Sequence, residues 1–82
     1  MYIYKTRGVC ASEIHIDVKD NKVEKVEFVN GCPGNTFGVS ELVKGLSVDD
    51  VITRLKGIDC RGRGTSCPDQ LTKALESYKA TN

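Results

Sequence analysis

The stretch that decides the fold runs from Glu13 to Val29 and reads EIHIDVKDNKVEKVEFV. Its first seven residues alternate strictly between polar and apolar side chains, which predicts a β-strand over Glu13–Lys19. Asp20 and Asn21 follow, and both residue types tolerate the positive φ angles of a tight hairpin turn. The chain then returns from Lys22 to Val29 as a second strand. The stretch therefore predicts an antiparallel hairpin with one face on a core and the other facing water.

The residues on either side of this hairpin predict a further strand and a first helix. Tyr2–Thr6 has the composition of a third strand. After the hairpin, residues 32–35 (CPGN) are typical of a turn, and a helix is expected from about Thr36 to Lys44. Its buried side chains are expected to be Phe37, Leu42 and Val43. Gly45 suits the position after a helix C-terminus.

Two more helices are predicted in the second half of the chain. Ser47 is a good N-cap, and the apolar residues that follow it at helical spacing are Val48, Val51, Ile52 and Leu55. Pro68 suits the first position of a last helix. That helix is expected to bury Leu71, Ala74, Leu75 and Tyr78. Strands followed by helices indicate an α+β fold, with a two- to three-stranded antiparallel sheet and about three helices.

Length and cysteine content together indicate a small domain that is held together by more than its core. The chain has 82 residues, which suits a single domain over residues 1–82. A domain of this size buries only roughly 60% of the surface of its unfolded chain, so its core is marginal. Four cysteines and no tryptophan are present. A bound metal or a disulfide is a common way to stabilise such a chain.

Charge and hydropathy exclude several classes of function. Twelve basic and eleven acidic residues leave a net charge of +1, which argues against a strongly electrostatic nucleic-acid binder. No apolar run is long enough to span a membrane. The first residues lack the basic start and apolar stretch of a signal peptide, so we expect a cytoplasmic protein. In a reducing cytosol, cysteines more often bind metal or carry out redox chemistry than form structural disulfides.

The positions of the cysteines predict that they meet. Cys10 precedes the first hairpin strand and Cys32 follows the second, and those two ends are adjacent in an antiparallel pair. Cys32 and Cys67 each stand before a proline at an expected helix start, where partial positive charge favours the thiolate that binds metal. Cys60 precedes Cys67 by seven residues, across a glycine-rich loop. We therefore predict that Cys10, Cys32, Cys60 and Cys67 bind one zinc ion or iron–sulfur cluster.

The spacing of the cysteines leaves two other interpretations open. No Cys-x-x-Cys pair is present, so the pattern is not that of a common zinc ribbon. Free cysteines also pack as small hydrophobic residues, and all four could be buried thiols without a ligand. Cys60 and Cys67 could instead form a thiol redox pair. Arg61 and Arg63 lie in the same loop and are candidates for binding an anion such as a phosphate.

The string Thr65-Ser66-Cys67-Pro68-Asp69 resembles the signature of the TSCPD domain family. That family includes stand-alone four-cysteine proteins of about this length and domains at the C-terminal end of some ribonucleotide reductases. The resemblance implies an accessory or binding module with a ribonucleotide reductase-like protein as partner, or a role in nucleotide metabolism. A nucleotide or nucleic acid is a weaker candidate. We expect no enzyme activity from the chain alone, since it is too short for a nucleotide-reducing barrel and its radical site.

A weaker likeness links the chain to the U-type iron–sulfur scaffold proteins, which assemble clusters on three cysteines. The matching segments are Val9-Cys10-Ala11, the hairpin, Phe28 to Gly34, Glu41 to Gly45 with Ser47, and Cys67 with its helix. This likeness implies the scaffold fold and a role as a cluster carrier. The sequence has Ser12 in the stretch where the scaffold family has an acid and Ser66 in place of its histidine. Cys60 offers a fourth ligand in place of that histidine.

Overall fold

A computed structural model describes residues 2–9, 11–30, 33–58, 62 and 64–81, without the side chains of Pro33 and Asn35. The elements are β1 (Tyr2–Lys5), β2 (Glu13–Lys19), β3 (Lys22–Val29), α1 (Pro33–Val43), α2 (Val48–Leu55) and α3 (Cys67–Thr81). The strands form one antiparallel sheet in the order β1-β2-β3. The predicted α+β class, with a three-stranded sheet followed by three helices, is confirmed.

The hairpin forms as predicted, with one irregularity that the alternation did not show. Asp20 and Asn21 have φ angles of 52° and 62°, as a tight turn between paired strands requires. Val18 pairs with Val23, whereas Asp17 pairs with Lys25, so β3 contains one extra residue. This bulge puts Val23 and Val26, which are three residues apart, on the same buried face. Strict alternation from Val26 would place Val23 on the opposite face of the sheet, so the bulge is what brings Val23 into the core.

The core lies between one face of the sheet and the three helices. Strands β2 and β3 contribute Ile14, Ile16, Val23 and Val26, and the helices contribute Val43, Val48, Val51, Leu71 and Leu75. On β1, Tyr2 packs edge-to-face on Tyr78 of α3 with ring centroids 5.7 Å apart. The domain therefore has two layers, with the helices on one side of the sheet.

Helix α1 begins earlier than the sequence predicted. It starts at Pro33 rather than near Thr36, so the expected turn over residues 33–35 is wrong, and Cys32 lies outside the described residues. Proline favours a first helical position because its fixed φ suits the helix and its missing N–H has no partner there. The helix ends at Val43, close to the predicted end.

The buried face of α1 also differs from the prediction. Phe37 and Leu42 are 68% and 78% exposed, so their expected burial is wrong, whereas Val43 is buried as predicted. The residues that face the core are Thr36, Ser40 and Val43, which are buried, and Val39, which is half-buried against it. Their positions follow helical spacing. The Ser40 hydroxyl is satisfied because it donates to the carbonyl oxygen of Thr36 at 2.7 Å. Because two of the inward-facing side chains are polar, the pattern of apolar residues alone did not predict this face.

The other two helices agree with the sequence. Ser47 caps α2, because its hydroxyl accepts a hydrogen bond from the amide of Asp50 at 3.1 Å. Val48 and Val51 of this helix are fully buried. Helix α3 begins at Cys67, one residue before the predicted start, and buries Leu71, Ala74 and Leu75 as expected.

Candidate cysteine site at the start of α3

Cys67 is the one predicted site residue that the structure describes. It is the first residue of α3, is 9% exposed and forms no disulfide with a described residue. Cys10, Cys32, Cys60, Arg61 and Arg63 lie outside the described residues. The convergence of the four sulfurs therefore stays a prediction. Within the described ranges, no three His, Cys, Asp or Glu side chains are grouped so as to hold a metal ion.

The start of α3 is enclosed on all sides. Six consecutive residues, 67–72, are buried, whereas a surface helix normally buries a single stripe. Several of these side chains are polar, yet in the described part of the chain no buried side-chain nitrogen or oxygen lacks a hydrogen-bond partner. The polar side chains at the start of α3 are therefore buried and hydrogen-bonded, and Cys67 lies among them.

Ser66 joins the helix start to the segment that precedes Cys60. Its hydroxyl accepts a hydrogen bond from the Asp69 amide at 3.2 Å, which caps α3. The same hydroxyl donates to the carbonyl oxygen of Ile58 at 2.6 Å. Ile58 is two residues before Cys60 in the sequence. The Ser of the signature string therefore ties two parts of the chain together.

Asp69 reinforces this connection from the first turn of the helix. Its carboxylate is 4% exposed and accepts hydrogen bonds from the Gly57 amide and the Thr65 hydroxyl, both at 2.7 Å. Burial alone would raise the pKa of Asp69. The two hydrogen bonds, with the positive charges of Lys73 and Lys56, nevertheless hold the pKa of this carboxyl below its ordinary value. The ionised Asp69 is therefore a structural acceptor that secures the loop between α2 and α3.

Gln70 extends the network to the segment that precedes Cys10. Its Oε1 accepts a hydrogen bond from the Arg7 amide at 3.1 Å, and its Nε2 donates to the Thr65 hydroxyl at 2.9 Å. Gly8 lies against Thr65, since a Cβ added at Gly8 would be 3.3 Å from Cγ2 of Thr65. The chain between β1 and Cys10 is thus held directly on the signature string.

The ends of the hairpin complete the connection. The Ser12 amide donates to the Val29 carbonyl oxygen at 2.8 Å, and the Asn30 side chain donates to the Ser12 hydroxyl at 3.3 Å. Ser12 in turn accepts a hydrogen bond through its carbonyl oxygen from the Thr6 amide at 3.2 Å. Described residues one or two positions from each of the four cysteines therefore belong to two hydrogen-bonded groups, one at the hairpin ends and one at the start of α3, which meet at the consecutive residues Thr6 and Arg7.

The basic residues near this region are only partly described. Arg54 lies 3.3 Å from Asp50, and Lys56 lies 3.0 Å from Glu76, as exposed ion pairs. These pairs partly neutralise the two cations that precede the loop. Arg61 and Arg63 themselves lie outside the described residues, so the anion site stays a prediction.

Sequence reasoning found the cysteine of the signature string but missed most of the network around it. The spacing Ser66-x-x-Asp69 resembles a capping box, and this signal could have indicated a helix start at Cys67. Gln70 gave no signal, because a single glutamine at a helix start is usually exposed. Its partners lie 63 residues away at Arg7 and five residues away at Thr65.

Replacing Gly8 tests the contact between the Cys10 segment and the signature string. Gly8 has a φ angle of 73°, and an added methyl group would press on Thr65. We expect Gly8→Ala to lower the free energy of unfolding by about 1–2 kcal/mol, because the left-handed conformation is strained for an L-residue. Gly38→Ala is the matched control. It lies in α1 with nothing within 4 Å of the added atom, and should raise stability by about 0.5–1 kcal/mol.

Both changes are measured by urea unfolding. A Gly8→Ala protein as stable as the parent would contradict the described packing of this segment on Thr65.

None of the helices in the described ranges has the length and apolar character needed to cross a membrane.

Comparison with known proteins gave one match. A family model described as the TSCPD domain matches residues 2–79. No curated protein and no solved structure matches the chain. The likeness to the U-type iron–sulfur scaffold proteins and to their fold is not supported by these comparisons.

Proposed function

The chain belongs to the TSCPD domain family, and from that premise we propose that it is a small metal-binding accessory module. Cys10, Cys32, Cys60 and Cys67 would hold one zinc ion or one iron–sulfur cluster. The observation that carries this proposal is that described neighbours of all four cysteines lie in two hydrogen-bonded groups that meet at the consecutive residues Thr6 and Arg7. These neighbours come from segments that are far apart in the sequence.

The donor set fits such a group. Four thiolates are the ligands of many closed, structural zinc sites and of most iron–sulfur clusters. When bound, the metal would cross-link the loops that carry the cysteines, which suits a domain with a small core. The chain itself supplies the arrangement of those loops. Ser66 and Asp69 hold the segment before Cys60, Gln70 holds the segment before Cys10, and burial of Cys67 excludes water from its thiol.

The partner is inferred from family resemblance. A ribonucleotide reductase-like protein would be the natural partner for a free-standing copy of a domain that such enzymes carry at their C-terminal end. Binding of the purified chain to a cobalamin-dependent reductase, measured by calorimetry, tests this part separately. Absence of heat at two well-separated temperatures, with micromolar concentrations of both proteins, would exclude a stable complex, because apolar burial changes the heat of binding with temperature. The metal proposal would be unaffected.

Four single Cys→Ser variants test the metal proposal. All four should retain less metal than the parent, and Cys67→Ser should lose more stability than Cys60→Ser. Cys67 is buried at a helix start, whereas Cys60 stands in a loop with glycines at positions 57, 62 and 64. Ordering such a loop costs about 1–2 kcal/mol per residue, so its position depends more on the metal itself.

The measurements are metal content and melting temperature under identical conditions. Leu42→Ser is the control, because Leu42 is exposed and far in sequence from the cysteines. Full metal retention in all four cysteine variants would end the proposal. If Cys60→Ser is the most destabilised, the ranking of the ligands is wrong. A protein that releases metal and stays folded would instead fit a cluster carrier or a thiol redox protein.

A further inference from the structure

We propose that Gln70 is a positioning residue of the cysteine site. Its side chain joins the segment that leads into Cys10 to the segment that connects Cys60 with Cys67. In this role Gln70 touches no metal and sets the distance between two groups of ligands. The inference rests on the proposed function only in taking the thiols to be metal ligands, and the contacts that support it are independent of any metal.

The direction of each hydrogen bond in this network is fixed by chemistry. The carboxylate of Asp69 can only accept, so the Thr65 hydroxyl must donate to it at 2.7 Å. That hydroxyl is then free to accept from the amide nitrogen of Gln70 at 2.9 Å. The amide oxygen of Gln70 is left to accept from the Arg7 amide at 3.1 Å. One ordered series of donors therefore runs from the N-terminal segment to the first turn of α3.

Gln70 is buried between the two cysteine segments, so its hydrogen bonds link them. Its side chain is 3% exposed, and a buried amide is destabilising unless both of its groups have partners. Both partners here lie outside helices and strands, at Arg7 and Thr65. Arg7 is three residues before Cys10, and Thr65 is two residues before Cys67. Loss of the amide therefore removes the hydrogen-bonded link between the two cysteine segments and leaves only the packing of Gly8 on Thr65, while the helix itself remains.

Two substitutions of Gln70 separate its two contacts. Gln70→Met has a similar length and shape but neither hydrogen bond. Gln70→Glu keeps an acceptor for the Arg7 amide, but it places a carboxylate against a Thr65 hydroxyl that already donates to Asp69. Glu therefore retains the contact with the Cys10 segment and loses the contact with the Cys60–Cys67 segment.

Thr72→Val is the matched structural control. Thr72 is fully buried in the same helix, and its hydroxyl donates to the Asp69 carbonyl oxygen at 2.6 Å. This bond lies within α3 and connects no other segment. Thr72→Val therefore removes one buried hydrogen bond from the same helix without changing any link between the cysteine segments.

The experiment measures alkylation of each cysteine by N-ethylmaleimide, resolved by mass spectrometry, in the metal-free full chain. In Gln70→Met, each of the two cysteine segments loses one hydrogen bond. Cys10 and Cys60 should therefore react about fivefold faster than in Thr72→Val, the factor expected for one lost hydrogen bond. In Gln70→Glu, Cys60 alone should accelerate. Equal rates in both Gln70 variants and the control would overturn the inference. If Gln70→Met does not fold, the ratio of the Cys60 rate to the Cys10 rate in Gln70→Glu tests the inference. A ratio higher than in Thr72→Val supports it, and an equal ratio overturns it.

Cobalt(II) loading gives a second readout that a purely structural role would not move. The absorption bands of cobalt bound to four thiolates should shift or weaken in Gln70→Met and stay unchanged in Thr72→Val. Cobalt bands identical in the two variants would contradict a role in positioning the ligands. If the parent binds no cobalt, zinc or iron, the proposed function fails, and the alkylation rates still decide the role of Gln70.

Discussion

Under the metal-binding proposal, treatment with a strong chelator is expected to lower the melting temperature by roughly 20 °C. A ligand that binds only the folded state stabilises it by about 4 kcal/mol when its free concentration is a thousand times its Kd. For a domain of this size each kcal/mol corresponds to about 4–8 °C. The described residues beside Cys10 and Cys60 lie outside the strands and helices, so the proposed metal would stabilise these segments more than it stabilises the hairpin. Differential scanning calorimetry with and without chelator measures the shift.

The Cys67→Ser variant provides the control for this experiment. With a ligand already missing, the chelator should produce a much smaller further change in its melting temperature. Unchanged melting of the parent after complete removal of metal would contradict a structural site. It would favour a carrier whose fold is independent of its cargo, or a protein without a metal.

Asp69→Ala is expected to lower the free energy of unfolding by about 3 kcal/mol. The substitution leaves the Gly57 amide and the Thr65 hydroxyl without their shared acceptor. Hydrogen bonds to a charged group contribute about 1.5–3 kcal/mol each, and a buried donor without a partner is costly. Asp69→Asn should lose less, because an amide oxygen can still accept from Gly57. Urea unfolding of the three proteins measures the order.

Glu76→Ala is the comparison for Asp69→Ala. Glu76 lies in the same helix and makes an exposed ion pair with Lys56, and exposed pairs contribute about 0–1 kcal/mol. A small effect of Asp69→Ala, similar to that of Glu76→Ala, would contradict the structural role of the Asp in the signature string.

The parts of the fold that the sequence predicted well are those governed by local chemistry. The alternation of Glu13–Lys19, the turn at Asp20 and Asn21 and the cap at Ser47 each depend on residues within a few positions. Their geometry follows from strand periodicity, from tolerance of positive φ and from a side chain that satisfies helix amides. Tertiary packing did not override any of these preferences.

The parts that it missed depend on contacts between distant residues. Phe37 and Leu42 are apolar, yet packing turned α1 so that Thr36 and Ser40 face the core. Hydrophobicity alone could not show this orientation. Gln70 is buried because Arg7 brings a backbone amide to it from the other end of the chain. Of the site, the sequence identified the signature string, and its prediction of four cysteine ligands stays a prediction. The hydrogen bonds between the described segments required the structure.

Elemental analysis of the full chain purified without oxygen tests the metal proposal most directly. Zinc and iron are quantified together with acid-labile sulfide and free thiols. A tetrathiolate site predicts about one zinc per chain, or iron with matching sulfide for a cluster. The Cys67→Ser protein should retain much less metal. A parent protein with four freely titrating thiols and neither metal, before and after incubation with zinc or iron and sulfide, would contradict the proposal.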